Sequence, residues 1–170
     1  LETVKDAKHT NTKFKKIMVA YNTSDLIDKK YTEYKFVKLL RKKGIETVAM
    51  IDVMPPVKQY VAKDFDNYFR KNNIDALLTV AMISSYTDIS GGASYTHGTK
   101  IGHSYSGYTY GGVKTEPRTK HNVTLSETKK GQVVWVATAF TEGDSEAGSE
   151  TMADSFAADV VNRMYKELYK

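Results

Sequence analysis

Residues 15–21 read Lys-Lys-Ile-Met-Val-Ala-Tyr, a run that is apolar without alternation after Lys16. A strand with apolar side chains on both faces is one that other layers cover on both sides. Working outward, Thr23-Ser24-Asp25 supplies N-cap oxygens, and Tyr34, Phe36, Val37 and Leu40 recur near the helical period until Gly44. The spacing therefore predicts a helix between Asp25 and Gly44. Val48, Ala49, Met50 and Ile51 follow as a second short strand, and Pro55-Pro56 breaks the chain. Val61, Phe65, Tyr68 and Phe69 mark a second, amphipathic helix that Asn72-Asn73 ends. Asp75 to Ser84 is again apolar on both faces and predicts a central third strand. Strands alternating with helices imply parallel neighbours joined by right-handed crossovers, so the first half is a β-α-β-α-β unit.

The second half changes character. Residues 84–112 are built almost wholly from Ser, Thr, Gly, Tyr and His, with Ile89 and Ile101 as their longer aliphatic anchors. Such a segment cannot build a core. From Lys120 the chain alternates, turns at Lys129-Lys130-Gly131 and returns as Gln132 to Phe140, the pattern of a β-hairpin. Val133 to Ala137 is apolar on both faces and belongs inside the sheet. Met152, Phe156, Val160, Met164 and Leu168 then stand at four-residue spacing, which predicts a last helix from Ser149 or Thr151 that packs on the sheet. The fold class expected is α/β: a mixed sheet with a β-α-β-α-β first half, a β-hairpin and a C-terminal helix. Residues 1–14 read as a polar lead-in after a removed leader, and residues 15–170 as one α/β domain with a Tyr/Gly/Ser-rich insertion at 85–115.

The chain has 170 residues, 41% of them hydrophobic and 26% charged, a globular balance that allows a single sizeable core. It contains no Cys, which excludes a disulfide framework, a thiolate nucleophile and Cys-ligated metal. No apolar run approaches the roughly 18 residues a membrane span needs. The net charge of +5 is unevenly spread: residues 1–75 hold 16 Lys/Arg against 10 Asp/Glu, residues 141–170 hold 3 against 7. Solvated helix faces account for most of this, and Arg41-Lys42-Lys43 before Gly44 complements a helix C-terminus. Nucleic acid is not an expected partner, because Lys13-Phe14-Lys15-Lys16 is the one compact stretch that interleaves basic residues with an aromatic, and Phe14 more naturally begins the core.

The order and punctuation of these elements carry a resemblance. Ile17 to Tyr21, Asp25 before the helix, Gly44-Ile45, Pro55-Pro56, Asp75-Ala76-Leu77-Leu78 and Gly131-Gln132-Val133-Val134-Trp135 follow one another across residues 15–168. In this the chain resembles the bacterial envelope lipoprotein domains related to the TolB amino-terminal domain, a group that includes CsgG and LpoB. The resemblance implies an α/β domain exported to the periplasm or outer membrane, often tethered through a lipidated Cys upstream of the domain. It implies no shared catalytic residues, and partners that are envelope proteins or peptidoglycan. A membrane contact would then run only through a lipid anchor absent from this chain.

Candidate chemistry is sparse. Gly102-His103-Ser104-Tyr105-Ser106-Gly107 departs by one position from the G-x-S-x-G nucleophile elbow, and no helix-forming run follows it. A hydrolase acting on envelope material is the alternative reading, with Ser104 or the acidic loop Glu142, Asp144, Glu146 and Glu150 as its chemistry. That loop lacks the carboxylate order of an EF-hand and suits a helix N-terminus. His9, His97, His103 and His121 show no compact ligand spacing, even with Asp88 added, and read as solvent-facing loop histidines. Asn22-Thr23-Ser24-Asp25 has no glycine to cradle a phosphate, so no nucleotide and no cofactor is expected. Tyr86, Tyr95, Tyr105, Tyr108 and Tyr110 stand among Ser, Thr and Gly, the division of labour of a binding loop: stiff aromatic area with adaptable surroundings. These five are the expected partner-binding residues of a non-catalytic domain, with self-association through the same edge included.

Overall fold

The computed structural model describes residues 1–6, 13–91, 95–101, 104–110, 113–143 and 149–170. In chain order the elements are β1 (Glu2–Lys5), β2 (Lys16–Asn22), α1 (Leu26–Lys42), β3 (Glu46–Ala49), α2 (Met50–Val53), α3 (Ala62–Asn72) and β4 (Ala76–Gly91). They continue with β5 (Tyr95–Ile101), β6 (Ser104–Tyr110), β7 (Val113–Glu127), β8 (Val133–Glu142) and α4 (Ser149–Leu168). Six strands form a mixed sheet in the order β1-β8-β7-β4-β2-β3, and β5-β6 form a separate pair. β2 is parallel to β3 and β4, whereas β7, β8 and β1 run antiparallel to their neighbours. This is the α/β class expected from the sequence, hairpin and C-terminal helix included.

The core lies on one face of this sheet. Ile17, Val19 and Tyr21 of β2 share it with Leu78 and Val80 of β4, Val123 and Leu125 of β7, and Trp135 and Ala137 of β8. Phe36, Val37 and Leu40 of α1 and the stripe Met152, Phe156, Val160, Met164, Leu168 of α4 close over it, all buried. The four-residue spacing thus becomes one buried helix face. The step from β2 to β3 and the step back across β2 to β4 have opposite directions, so right-handed crossovers put α1 and α3 on opposite faces. Met18 and Ala20, which alternate with the core residues of β2, are buried as well, so the uninterrupted apolar run does mark a strand covered on both sides. Further along that second face, Leu77 and Thr79 of β4 are only half-buried, and no residue of α3 is fully buried.

Local chemistry sets the helix ends. The Asp25 carboxylate accepts from the N–H groups of Ile27 (2.8 Å) and Asp28 (3.0 Å), capping α1. Gly44, with φ of +82°, turns the chain out of α1, and Arg41 reaches the Thr47 carbonyl at 2.7 Å. Gly131, at φ +66°, makes the hairpin turn between β7 and β8.

Two segments depart from expectation. Within the polar lead-in, Glu2–Lys5 forms the edge strand β1, paired antiparallel with β8 from Glu2↔Thr138 to Lys5↔Trp135. Edge pairing needs backbone groups rather than apolar side chains, so a charged four-residue strand leaves little trace in composition. The second strand stops at Ala49 rather than Ile51, because the Ile51 N–H is taken at 2.8 Å by the Glu33 carboxylate and a helical turn starts at Met50.

Candidate functional site

In open sheets, ligand sites gather beyond the C-terminal ends of parallel strands. Here β2 ends at Asn22 and α1 begins at Leu26, while α4 starts beside it. β4 does not stop at this line. Its pairing with β7 shifts between Met82 and Ser84, leaving Ile83 as an extra bulged residue. The bulge resets the alternation, so Met82 before it and Ser85 after it both line the same crevice. This crevice of about 310 Å³ lies among Tyr21, Tyr31, Ser85, His121, Glu150 and Phe156. A larger groove of about 690 Å³ runs between α1 and the edge strand β3, with Tyr34, Arg41 and Asp52 in its wall already partnered. The Tyr34 hydroxyl donates to Asp52 at 2.6 Å, and Arg41 holds the Thr47 carbonyl.

His121 is the unusual residue of the crevice. The sequence reading placed it in a solvent-facing loop, whereas it sits in β7 with 6% of its surface exposed. Its ring stacks on Phe156, centroids 4.3 Å apart at 22°, and lies 6.1 Å from the Tyr21 ring. Its Nδ1 is buried without a hydrogen-bond partner. Leaving such a group unsatisfied costs about 1–3 kcal/mol. Burial lowers its pKa to about 4, so the imidazole is neutral at pH 7.

This depressed pKa makes a prediction with a definite sign. Between pH 6.5 and about 4 the unfolded chain takes up a proton on this imidazole that the folded chain refuses. Stability is therefore fully present above pH 6.5 and falls as the pH drops toward 4, by about 2 kcal/mol at pH 4.5. Urea midpoints at pH 7 and 4.5 should show this loss in the wild type and a loss smaller by that amount in His121→Phe. Equal losses in the two proteins would overturn it.

The other titratable groups of the wall are tyrosines and carboxylates. Burial raises the Tyr21 phenol, and the charges of Asp28 and Asp25 raise it further. The Tyr31 hydroxyl donates to Asp154 at 3.0 Å, and the Lys35 ammonium binds the same carboxylate. Lys35, the larger influence, and Tyr31 hold the Asp154 pKa below its usual value despite partial desolvation. Asp28 and Glu150 form the acidic rim, and among the described residues no Lys or Arg lines the crevice.

Beneath the crevice sits a buried ionic staple that the sequence reading missed. The Glu33 side chain is fully buried; its Oε1 accepts from the Tyr21 N–H (2.9 Å) and the Lys29 ammonium (3.0 Å). Its Oε2 accepts from Ile51 N–H, and the Lys29 ammonium also donates to the Tyr21 carbonyl. With β3 ended at Ala49, Tyr21 has no β3 partner on that side, and the carboxylate takes its place. In sequence, Lys29 and Glu33 look like any i,i+4 pair on a solvated helix.

Past the crevice, β4 and β7 remain paired from Ser84↔Lys120 out to Gly91↔Val113, beyond the last β2 pair at Ala81. The expected partner-binding tyrosines lie on this ribbon and on β5-β6. Tyr86 is opposite Arg118, Tyr95 opposite Tyr110, His97 opposite Tyr108, and Lys100 opposite Tyr105. The description of these residues stops at the backbone register. Ser104 begins strand β6, not a strand-to-helix turn. Asp88 is in β4 opposite Glu116, and His9, His103, Asp144 and Glu146 lie outside the described residues. Among the described residues no three His, Asp or Glu side chains converge as a metal site, and no helix is long and apolar enough to cross a membrane.

No protein-family model and no curated protein matches the chain. Solved structures do. The PelC dodecamer from Paraburkholderia phytofirmans is similar at 19% identity with a TM-score of 0.59, over 99% of this chain and 97% of that chain. The lipoprotein GNA1162 from Neisseria meningitidis is similar at 12% identity with a TM-score of 0.53, over 89% of this chain and 98% of that chain. At these identities the likeness is one of fold: the chain shares, along almost all of its length, the architecture of a bacterial lipoprotein and of the PelC subunit.

Proposed function

We propose that this chain is a non-catalytic domain of the bacterial envelope that binds an envelope protein or peptidoglycan through its Tyr-bearing ribbon and self-associates through the same edge. The observation that carries the reading is the ribbon itself: β4 and β7 stay paired past the sheet, and the chain between them pairs again as β5-β6. A core needs no such extension, whereas a partner surface does. The fold likeness to a lipoprotein supports the envelope address, and the likeness to a subunit of the PelC dodecamer supports self-association. His121 is a poor candidate for a catalytic base, since its Nδ1 lacks the orienting carboxylate that nucleophilic sites use.

The test is a variant with Tyr105, Tyr108 and Tyr110 all changed to Ser, measured beside the wild type. Light scattering reports the assembly state, and co-sedimentation with purified peptidoglycan together with retention from solubilised envelope reports partners. The variant should keep the wild-type circular dichroism and melting temperature while losing assembly or partner retention. A folded variant that assembles and binds like the wild type would remove the ribbon from this role, and turnover of envelope material by the wild type would favour the hydrolase reading.

A further inference from the structure

The crevice at the root of the ribbon carries an inference separate from the partner surface. We propose that it is a binding site for a small organic cation, a protonated amine on a compact apolar or aromatic body. Its volume of about 310 Å³ is at the lower end of ligand pockets. The floor is apolar and aromatic: Phe156, Met152 and Tyr21 are buried there. Tyr31 adds a further ring, and electron-rich ring faces attract cations. The rim presents Asp28 and Glu150.

The cations nearby are already engaged. Lys29 is bound to Glu33 and the Tyr21 carbonyl, Lys35 to Asp154, and Arg118 approaches Glu142 at 3.5 Å. Among the described residues neither rim carboxylate makes an ion pair, and an ammonium would meet them directly. The second, independent feature is His121. It lines the same crevice, is 94% buried and has an Nδ1 with no partner, although such groups are normally satisfied. A neutral imidazole keeps one unprotonated nitrogen that can accept from an N–H. Among the described residues an anion would meet two carboxylates and no lining Lys or Arg, and a plain hydrocarbon would leave the imidazole unsatisfied.

The probes are phenethylammonium, 2-phenylethanol and phenylacetate, which share a ring and differ in charge. Each is titrated into the whole chain at pH 7, with the imidazole signals of His121 followed by NMR. Phenethylammonium should shift those signals and bind about tenfold or more tightly than the alcohol, the difference one charge-assisted contact makes. Asp28→Asn with Glu150→Gln should remove that preference while leaving the melting temperature close to the wild type. Equal binding of ammonium and alcohol would overturn the proposal, as would silence from all three probes at millimolar concentration. Preference for phenylacetate would overturn it too, in favour of an anion held by the helix N-termini of α1 and α4. Because the Tyr105, Tyr108 and Tyr110 triple variant leaves the crevice residues intact, failure of the ribbon reading and failure of this one are separately visible.

Discussion

Glu33→Ala should lower the unfolding free energy by about 3–5 kcal/mol, the cost of removing one partner from a buried ion pair. The substitution leaves the ammonium of Lys29, a residue only 8% exposed, with only the Tyr21 carbonyl for company. It also orphans the Tyr21 and Ile51 N–H groups, both of which donate to that carboxylate. A more telling variant is Lys29→Met with Glu33→Leu, which removes both charges. It should recover part of the loss, because well-packed apolar side chains often replace a buried pair at little cost, though the two N–H groups stay unpaired. Chemical denaturation of the three proteins checks both statements. A single variant within about 1 kcal/mol of the wild type would mean that water enters and replaces the carboxylate.

Trp135→Ala is the second large effect, about 3–5 kcal/mol, as for deletion of other large buried aromatics. Trp135 is fully buried in β8, opposite Leu125 of β7 and Lys5 of β1. Its indole N–H donates at 2.7 Å to Glu167 of α4, whose other oxygen accepts from Thr3 of β1 at 3.0 Å and meets Arg163 at 2.6 Å. Partial burial raises the Glu167 pKa, but the bonds from Trp135 and Thr3 and the charge of Arg163 outweigh it and leave it lowered. The large ring and the carboxylate together tie β1, β8 and α4, so Trp135→Phe separates them. It keeps most of the apolar area and loses the donor, and should cost about 1–2 kcal/mol. Melting curves that place Trp135→Phe as low as Trp135→Ala would show that the hydrogen bond, not the packing, dominates.

These sites differ in how far they can be read from residues alone. Trp135 announces itself, since a Trp inside the run Val133 to Ala137 has to be buried somewhere. The residues of the α4 stripe do the same through their spacing, and β2 through its lack of alternation. Periodicity reports burial whenever a whole face of an element is covered. Glu33 and His121 carry no such signal. Each is a single polar residue whose burial depends on elements distant in sequence: Glu33 on the early end of β3, His121 on Phe156 stacking from α4. Strand β1 is invisible for a related reason, its stability coming from backbone pairing with β8.

The sequence by itself determined the α/β class, the order of the main helices and strands on either side of the 85–115 insertion from Lys16 onward, though not the turn α2 or the pair β5-β6, and the candidate status of the tyrosine segment. Hydrophobic period, caps and glycine turns are local properties, and each is complete within a dozen or so residues. Only the tertiary structure decided the crevice, because residues 21, 31, 121, 150 and 156 come to it from β2, α1, β7 and α4, elements far apart in the chain. What makes it a site, an acidic rim over an unpaired buried imidazole, is a sum of separately ordinary side chains that no stretch of sequence contains.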